Sequence, residues 1–336
     1  MKPNIPEPPR VDPVQPPRLF ETLKASRAFG GRPGSAAHAS YDDYTRRPED
    51  VDTTVIVDWN RLAHVQLVTN HHEVCSSIML LSEMHRLKSP AKRMLLFPQV
   101  WAMDKGGKKG FVDDPYLDTT RRLLKLAARR YGIELRPVSP IAGGEEEDSN
   151  AYGLSSLWGL SDYDRVLLVQ APGIVLDATP LDALLAYTSP TALATLATDT
   201  DSGIAAHDLI LVTPSTEAYK ALTSSHSHSL SDIATSLNPL SLPSDPTHHL
   251  LTSISSLHPY NANDIFNATA WLDNSAYIRF SDPKLPMGPE YDVPWAEKIK
   301  ARPANKDADW VWTKLYGMFA QSRLDVCGLG LEGWYP

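Results

Sequence analysis

RVLLVQAPGIVLD, residues 165–177, is the stretch whose reading decides the fold. After Arg165 the run Val166-Leu167-Leu168-Val169 is continuously apolar, which is the pattern of a strand buried on both faces. The run stops in Gln170-Ala171-Pro172-Gly173, a group of turn-forming residues. An α/β enzyme would often place carboxylates at such a strand end, and this one has none. The strand is therefore either a catalytic strand end whose chemistry has been replaced or an ordinary core strand followed by a turn.

Working outward, short apolar runs alternate with helical periodicity from residue 51 onward, the signature of βαβ units and a mainly parallel sheet. Strands are predicted at His64–Thr69, Arg93–Phe97, Ile133–Val138, Leu209–Val212 and Ala276–Phe280. Val74, Ile78, Leu81 and His85 fall at helical spacing. An amphipathic helix is predicted from about Pro115 to Tyr131, ended by Gly132, and a shorter one is entered at Thr179-Pro180. Residues 224–249, rich in Ser, His and Pro, read as a long surface excursion. The late helix WVWTKLYGMF, residues 310–319, carries Trp310, Trp312, Leu315 and Phe319 as a core stripe. The resulting division is a Pro-rich arm over 1–50, disordered or loosely docked, an α/β domain over 51–300 and a C-terminal helical extension over 301–336.

With 336 residues, of which 42% are hydrophobic, the chain can build a substantial core. Its formal charge of -8 argues against a general nucleic-acid binder, which needs a basic face. No stretch approaches the ~20 apolar residues that span a bilayer, and the N-terminal residues lack the apolar region of a signal peptide. A cytoplasmic protein is expected. Cys75 and Cys327 stand in no metal spacing and are expected as two reduced thiols. Asn267-Ala268-Thr269 matches the glycosylation triplet, but a cytoplasmic chain would make that match chance. His71-His72, His226-x-His228 and His248-His249 have no completing cysteine or carboxylate for a metal site.

Several segments taken together resemble glycosyltransferase family 8, the glycogenin-like group, in its fungal N-acetylglucosaminyltransferase-type branch. They are WNRLAHVQLVTN at 59–70, SIMLLSEMHRLKSPAKRMLLFP at 77–98, LSSLWGLSDYDRVLLV at 154–169, GIVL at 173–176, LVTPSTEAYKAL at 211–222, YIRFSDPKLP at 277–286 and DVCGLGLEGW at 325–334. The resemblance implies a GT-A fold, a Rossmann-like nucleotide-diphospho-sugar transferase domain with a mainly parallel central sheet. It implies a UDP-sugar donor and an acceptor that the residues do not identify. Ligands of open α/β sheets bind beyond the carboxyl ends of the strands. By resemblance, Leu67, Val68, Thr69 and Asn70 line the uracil and ribose pocket, with Gln170, Ala171 and Lys284 also on the donor side.

The family ordinarily holds Mn²⁺ with an Asp-x-Asp at the central strand end and a late histidine. Here Gln170 and Pro172 replace the aspartates and Arg279 replaces the histidine, so no metal cofactor is expected. Asp177 and Asp182 lie beyond the anchoring GIVL, and Asp182 reads as a first-turn residue complementing a helix dipole. The acceptor-side Asp-Gln pair falls on Thr247-His248, which leaves His248 as the acceptor-side candidate. Two explanations follow. In one, transfer is metal-independent and a fixed cation, Arg279, stabilises the departing diphosphate, with His207 and Asp208 completing the catalytic set and Lys284 in support; Asp282 is a candidate ion-pair partner of Arg279. In the other, the scaffold survives as a non-catalytic binding protein or as an enzyme of changed chemistry in a fungal biosynthetic pathway.

Overall fold

The computed structural model describes residues 57–103, 114–140, 152–196, 206–224, 230–242, 249–286 and 288–330, all within the compact unit Thr53–Pro336. The arm over 1–50, the basic loop Lys105–Lys109, the acidic loop over 143–150, His226, His228 and His248 lie outside the described residues.

β1 (Leu62–Leu67), β2 (Lys92–Pro98), β3 (Glu134–Val138), β4 (Arg165–Val169), β6 (Ala194–Leu196), β7 (Leu209–Val212) and β8 (Leu240–Leu242) form a sheet in the order β3-β2-β1-β4-β7-β6-β8. β3, β2, β1 and β4 are mutually parallel, whereas β7 is antiparallel to both β4 and β6. A second sheet, β5-β10-β9, is built from β5 (Gly173–Val175), β9 (His249–Ser253) and β10 (Ser275–Arg279). In register, Val65 of β1 lies beside Met94 of β2 and Leu168 of β4.

The unbroken apolar run of β4 follows from having a core on each side. Leu167 and Val169 point into a large cluster shared with α1 (Glu73–Arg86), α2 (Leu117–Tyr131), α3 (Thr179–Tyr187) and α8 (Lys306–Cys327). Val166 and Leu168 point into a second cluster with Leu157 and Trp158, closed by α4 (Thr216–Ser224) and α5 (Leu230–Leu237). Alternation along the pleat thus demands apolar side chains at every position. Gly132 ends α2 in the left-handed conformation, φ 62°, where a residue without Cβ is favoured.

Three expectations are corrected. Residues 224–249 are not simply an excursion: Ile233 of α5 and Leu242 of β8 are buried, and β8 pairs in parallel with β6 as the sheet edge. The polar composition hid them because only one face of each is covered. In α8, Trp312, Leu315 and Phe319 are core, but Trp310 is 46% exposed, with the Lys314 ammonium over its ring. Cys75 and Cys327 are joined by a disulfide across 252 residues, Cα atoms 6.0 Å apart, and are not reduced thiols. α1 and α8 pack together, which brings two cysteines remote in sequence within bonding range.

Candidate functional site

β1 and β4 are adjacent and parallel, so their carboxyl ends open on the same side of the sheet. Gln66 ties them, its amide donating to the Val169 carbonyl at 2.7 Å. Beyond Leu67 the chain turns into α1, and Glu73 organises the turn: its carboxylate accepts from the main-chain N–H groups of Thr69 (3.0 Å) and Asn70 (3.3 Å) and from the Asn70 amide (3.2 Å). Thr69 is half-buried and Asn70 exposed, while the Val68 side chain is wholly buried in the core and Leu67 packs against the opposite cluster. Val68 therefore has no side-chain surface to offer a ligand.

At the end of β4 the Gln170 N–H donates to the Asp208 carbonyl (2.9 Å), and the Gln170 carbonyl accepts from the Tyr277 hydroxyl. The Ala171–Pro172 bond is cis. The Pro172 carbonyl accepts from the Phe280 N–H at 3.1 Å and from Arg279 Nη1 at 2.9 Å. Arg279 Nε lies 3.3 Å from Asp208 Oδ1, and the same oxygen is 3.7 Å from Nε2 of the exposed His207. The tertiary structure thus assembles Arg279, Asp208, His207, Gln170 and Pro172 at one strand end. Two of the five Arg279 N–H donors are engaged on these partners, which fixes the guanidinium in orientation, and among the described residues no hydrogen bond takes the other three.

Asp282 is not the partner of Arg279. It points the other way, into the contact between β10's end and α8, where it is buried. Oδ1 accepts from His258 Nε2 (2.9 Å) and the Lys284 N–H (2.9 Å), and Oδ2 accepts from Trp312 Nε1 (2.8 Å) and the Tyr316 hydroxyl (3.2 Å). Burial alone would raise this carboxyl, but the hydrogen bonds from His258, Trp312 and Lys284 outweigh it and hold it below the ordinary aspartate range. Lys284 sits exposed on the turn so fixed.

Neither later aspartate serves the strand end. Asp177 is exposed and accepts from the Thr179 N–H (2.9 Å). Asp182 does stand in the first turn of α3, but its carboxylate is spent on buried His64 and Ser89, each at 2.7 Å. Among the described residues no group of three or more His, Cys, Asp or Glu side chains could hold a metal ion. His71 in particular has both ring nitrogens occupied, by Thr120 (2.6 Å) and Asp114 (2.7 Å), and stacks on Trp101.

Two features escaped the sequence reading. His72, directly after the β1 turn, sits between the rings of Tyr116 and Tyr291, 5.5 and 5.3 Å away, giving an aromatic border to that end of the sheet. Glu290, on a short 3-10 helix whose Gly288 approaches Pro172, accepts from the Ser76 hydroxyl. Burial pushes its carboxyl above the ordinary range. Beside it Arg323 of α8 is buried, with no hydrogen-bond partner for Nε and Nη1 among the described residues. Glu290 and Arg323 lie in parts of the chain with no motif, and only the packing of α8 on α1 places them near each other.

Taken together, fold and site define a Rossmann-like α/β domain with a mostly parallel sheet and a cationic side chain fixed at the end of its central strand. Among curated proteins, the chain is similar to glucose N-acetyltransferase 1 of Gibberella zeae, 31% identical over 124 residues, which is 36% of this chain and 26% of the relative. It is also similar to glucose N-acetyltransferase 1 of Aspergillus fumigatus, 31% identical over 149 residues, 43% of this chain and 34% of the relative. The chain thus spans about a quarter to a third of the length of the curated relatives it matches. No family model matches. Among solved structures it is similar to an active-site mutant of LgtC, at 12% identity and a TM-score of 0.38, covering 70% of this chain and 92% of that one. The glycosyltransferase GlyE of Streptococcus pneumoniae gives 12% identity and a TM-score of 0.37, covering 79% and 64%.

Proposed function

We propose that this chain is a glycosyltransferase-like protein of the GT-A class that binds a UDP-sugar at the ends of β1 and β4 and, as an enzyme, transfers the sugar without a metal. The observation that carries the reading is the placement of Arg279, whose guanidinium is fixed on the Pro172 carbonyl, where the family resemblance puts a metal-binding aspartate. The partial similarity to fungal proteins called glucose N-acetyltransferase 1 favours a glucose-derived sugar.

Cleaving a sugar from a nucleoside diphosphate leaves negative charge on the diphosphate, and a preorganised cation stabilises that charge without reorganising in the transition state. Arginine suits the task, because it stays charged and its planar fork matches phosphate oxygens. In this reading Asp208 orients Arg279, His207 stands at the open edge of the same group, and Thr69, Asn70, Gln170 and Ala171 border the donor. Lys284 and His248 are proposed only as outlying contributors to the donor and acceptor sides.

A second reading has a specific observation in its favour. Asp208 is buried within ion-pair range of Arg279, and a carboxylate there offsets the charge a diphosphate would seek, as in a scaffold retained for binding a partner. Calorimetric titration with UDP and UDP-N-acetylglucosamine, with and without EDTA, separates the two. Binding indifferent to EDTA and lost in Arg279→Gln supports metal-independent donor binding. No heat at millimolar UDP overturns it in favour of the pseudo-enzyme.

A further inference from the structure

Asn267-Ala268-Thr269 is the one Asn-x-Ser/Thr triplet in the chain with a residue other than proline in the middle. The structure puts it at an exposed helix start: Asn267 is the N-cap of α6 (Ala268–Asp273), and its Oδ1 accepts from the Ala270 N–H at 3.0 Å. Asn267 and Thr269 are both exposed, and among the described residues the Asn267 Nδ2 makes no hydrogen bond. The two ends of this amide are thus divided: the oxygen serves the fold, and the nitrogen faces water. Two positions earlier stands Ile265, a large apolar side chain 99% exposed.

The Cys75–Cys327 disulfide supplies the second, independent observation. Disulfides form and persist where the surroundings are oxidising, and cytosolic thiols are kept reduced. A chain in which this bond persists is expected in an oxidising compartment, the kind in which asparagine triplets are modified.

We propose that Asn267 carries an N-linked glycan, acquired in an oxidising compartment of the secretory type, in place of the cytoplasmic residence the composition suggested. In the modifying step Nδ2 bonds to the anomeric carbon of a lipid-linked oligosaccharide diphosphate. The bond from that carbon to the diphosphate oxygen breaks, the lipid diphosphate leaves with the electron pair, and the Nδ2 proton passes to a base of the host transferase. The disulfide forms by loss of two electrons and two protons from the thiols to a cellular disulfide oxidant. Because the cap uses Oδ1, the glycan leaves the α6 hydrogen bond in place, and as a bulky, solubilising group it shields Ile265. The inference stands apart from the transferase reading, since it involves no residue of the strand-end site.

The test is the full chain produced in a yeast host, purified with free thiols blocked, and mapped by peptide mass before and after peptide-N-glycosidase treatment in ¹⁸O water. The expected result is an Asn267 peptide converted to ¹⁸O-labelled aspartate and a mobility shift removed by the glycosidase. Both signals vanish in Asn267→Gln and in Thr269→Ala, the latter keeping the asparagine cap and hence the folded circular-dichroism spectrum. An unmodified Asn267 peptide overturns the proposal, whether the Cys75–Cys327 bond is closed or open. So does a glycosidase-sensitive shift that persists in Thr269→Ala.

Discussion

Gly173 and Tyr277 meet so closely across the β5–β10 ladder that a Cβ on residue 173 would lie 1.9 Å from the tyrosine oxygen and 2.2 Å from its ring carbon Cζ. The phenol is buried, and its hydroxyl is held on the Gln170 carbonyl. The glycine that follows the turn after β4 is thus required by the ring that braces that turn. Gly173→Ala is expected to cost about 3 kcal/mol, at the upper end of ordinary overpacking penalties, because the obstacle is a fixed ring. Urea unfolding checks it. A midpoint unchanged from the parent chain would contradict this packing.

Arg279→Lys separates charge from geometry. A lysine carries the same charge but is a point donor and cannot address the Pro172 carbonyl and the Asp208 carboxylate with a planar fork. Under the transferase reading it is expected to lose about 1.5–3 kcal/mol of UDP binding, the scale of a charged hydrogen bond, roughly ten- to a hundredfold in Kd. Arg279→Gln should do no better. Titration calorimetry reads both.

The Asp282 carboxylate has a folded pKa below its unfolded value, so its contribution to stability is fully present above the unfolded value and is lost as pH falls through the folded one. Acid unfolding of the parent chain should accordingly steepen below about pH 4, the unfolded aspartate range, and Asp282→Asn should flatten that limb. At neutral pH the substitution is expected to cost about 3–5 kcal/mol, because it breaks a buried charged network linking His258, Trp312 and Tyr316.

Glu290 has the opposite sign. Burial raises its folded pKa, so the folded chain holds this proton more tightly and the group's contribution declines as pH rises from the unfolded towards the folded value. Glu290→Gln keeps an acceptor for the Ser76 hydroxyl and removes the titration. Its stability relative to the parent is expected to increase as pH rises above about 4, the unfolded glutamate range, as measured by urea titrations at a series of pH values.

Reduction of Cys75–Cys327, or Cys327→Ser, frees a constraint over 252 residues of sequence. The expected loss is about 2–5 kcal/mol, most of it from a less restricted unfolded chain. A lower melting temperature with dithiothreitol than without is the readout. Equal melting curves would show that the bond adds nothing.

Local pattern by itself determined the strands Arg165–Val169 and Leu209–Val212, because a strand covered on both faces must be apolar at every position. The Gly132 stop of α2 was legible for a similarly local reason, since a left-handed cap favours a residue without Cβ. What pairs with what was decided only in three dimensions. Arg279 takes Asp208 instead of the nearby Asp282, because strand alternation and the β4–β7 contact turn its side chain to the strand end. Asp282, three residues on, is claimed by α8. The disulfide, the Glu290–Ser76 contact and the aromatic border around His72 likewise join segments that share no local signal. Periodicity reports which face of an element is covered, and only packing reports what covers it.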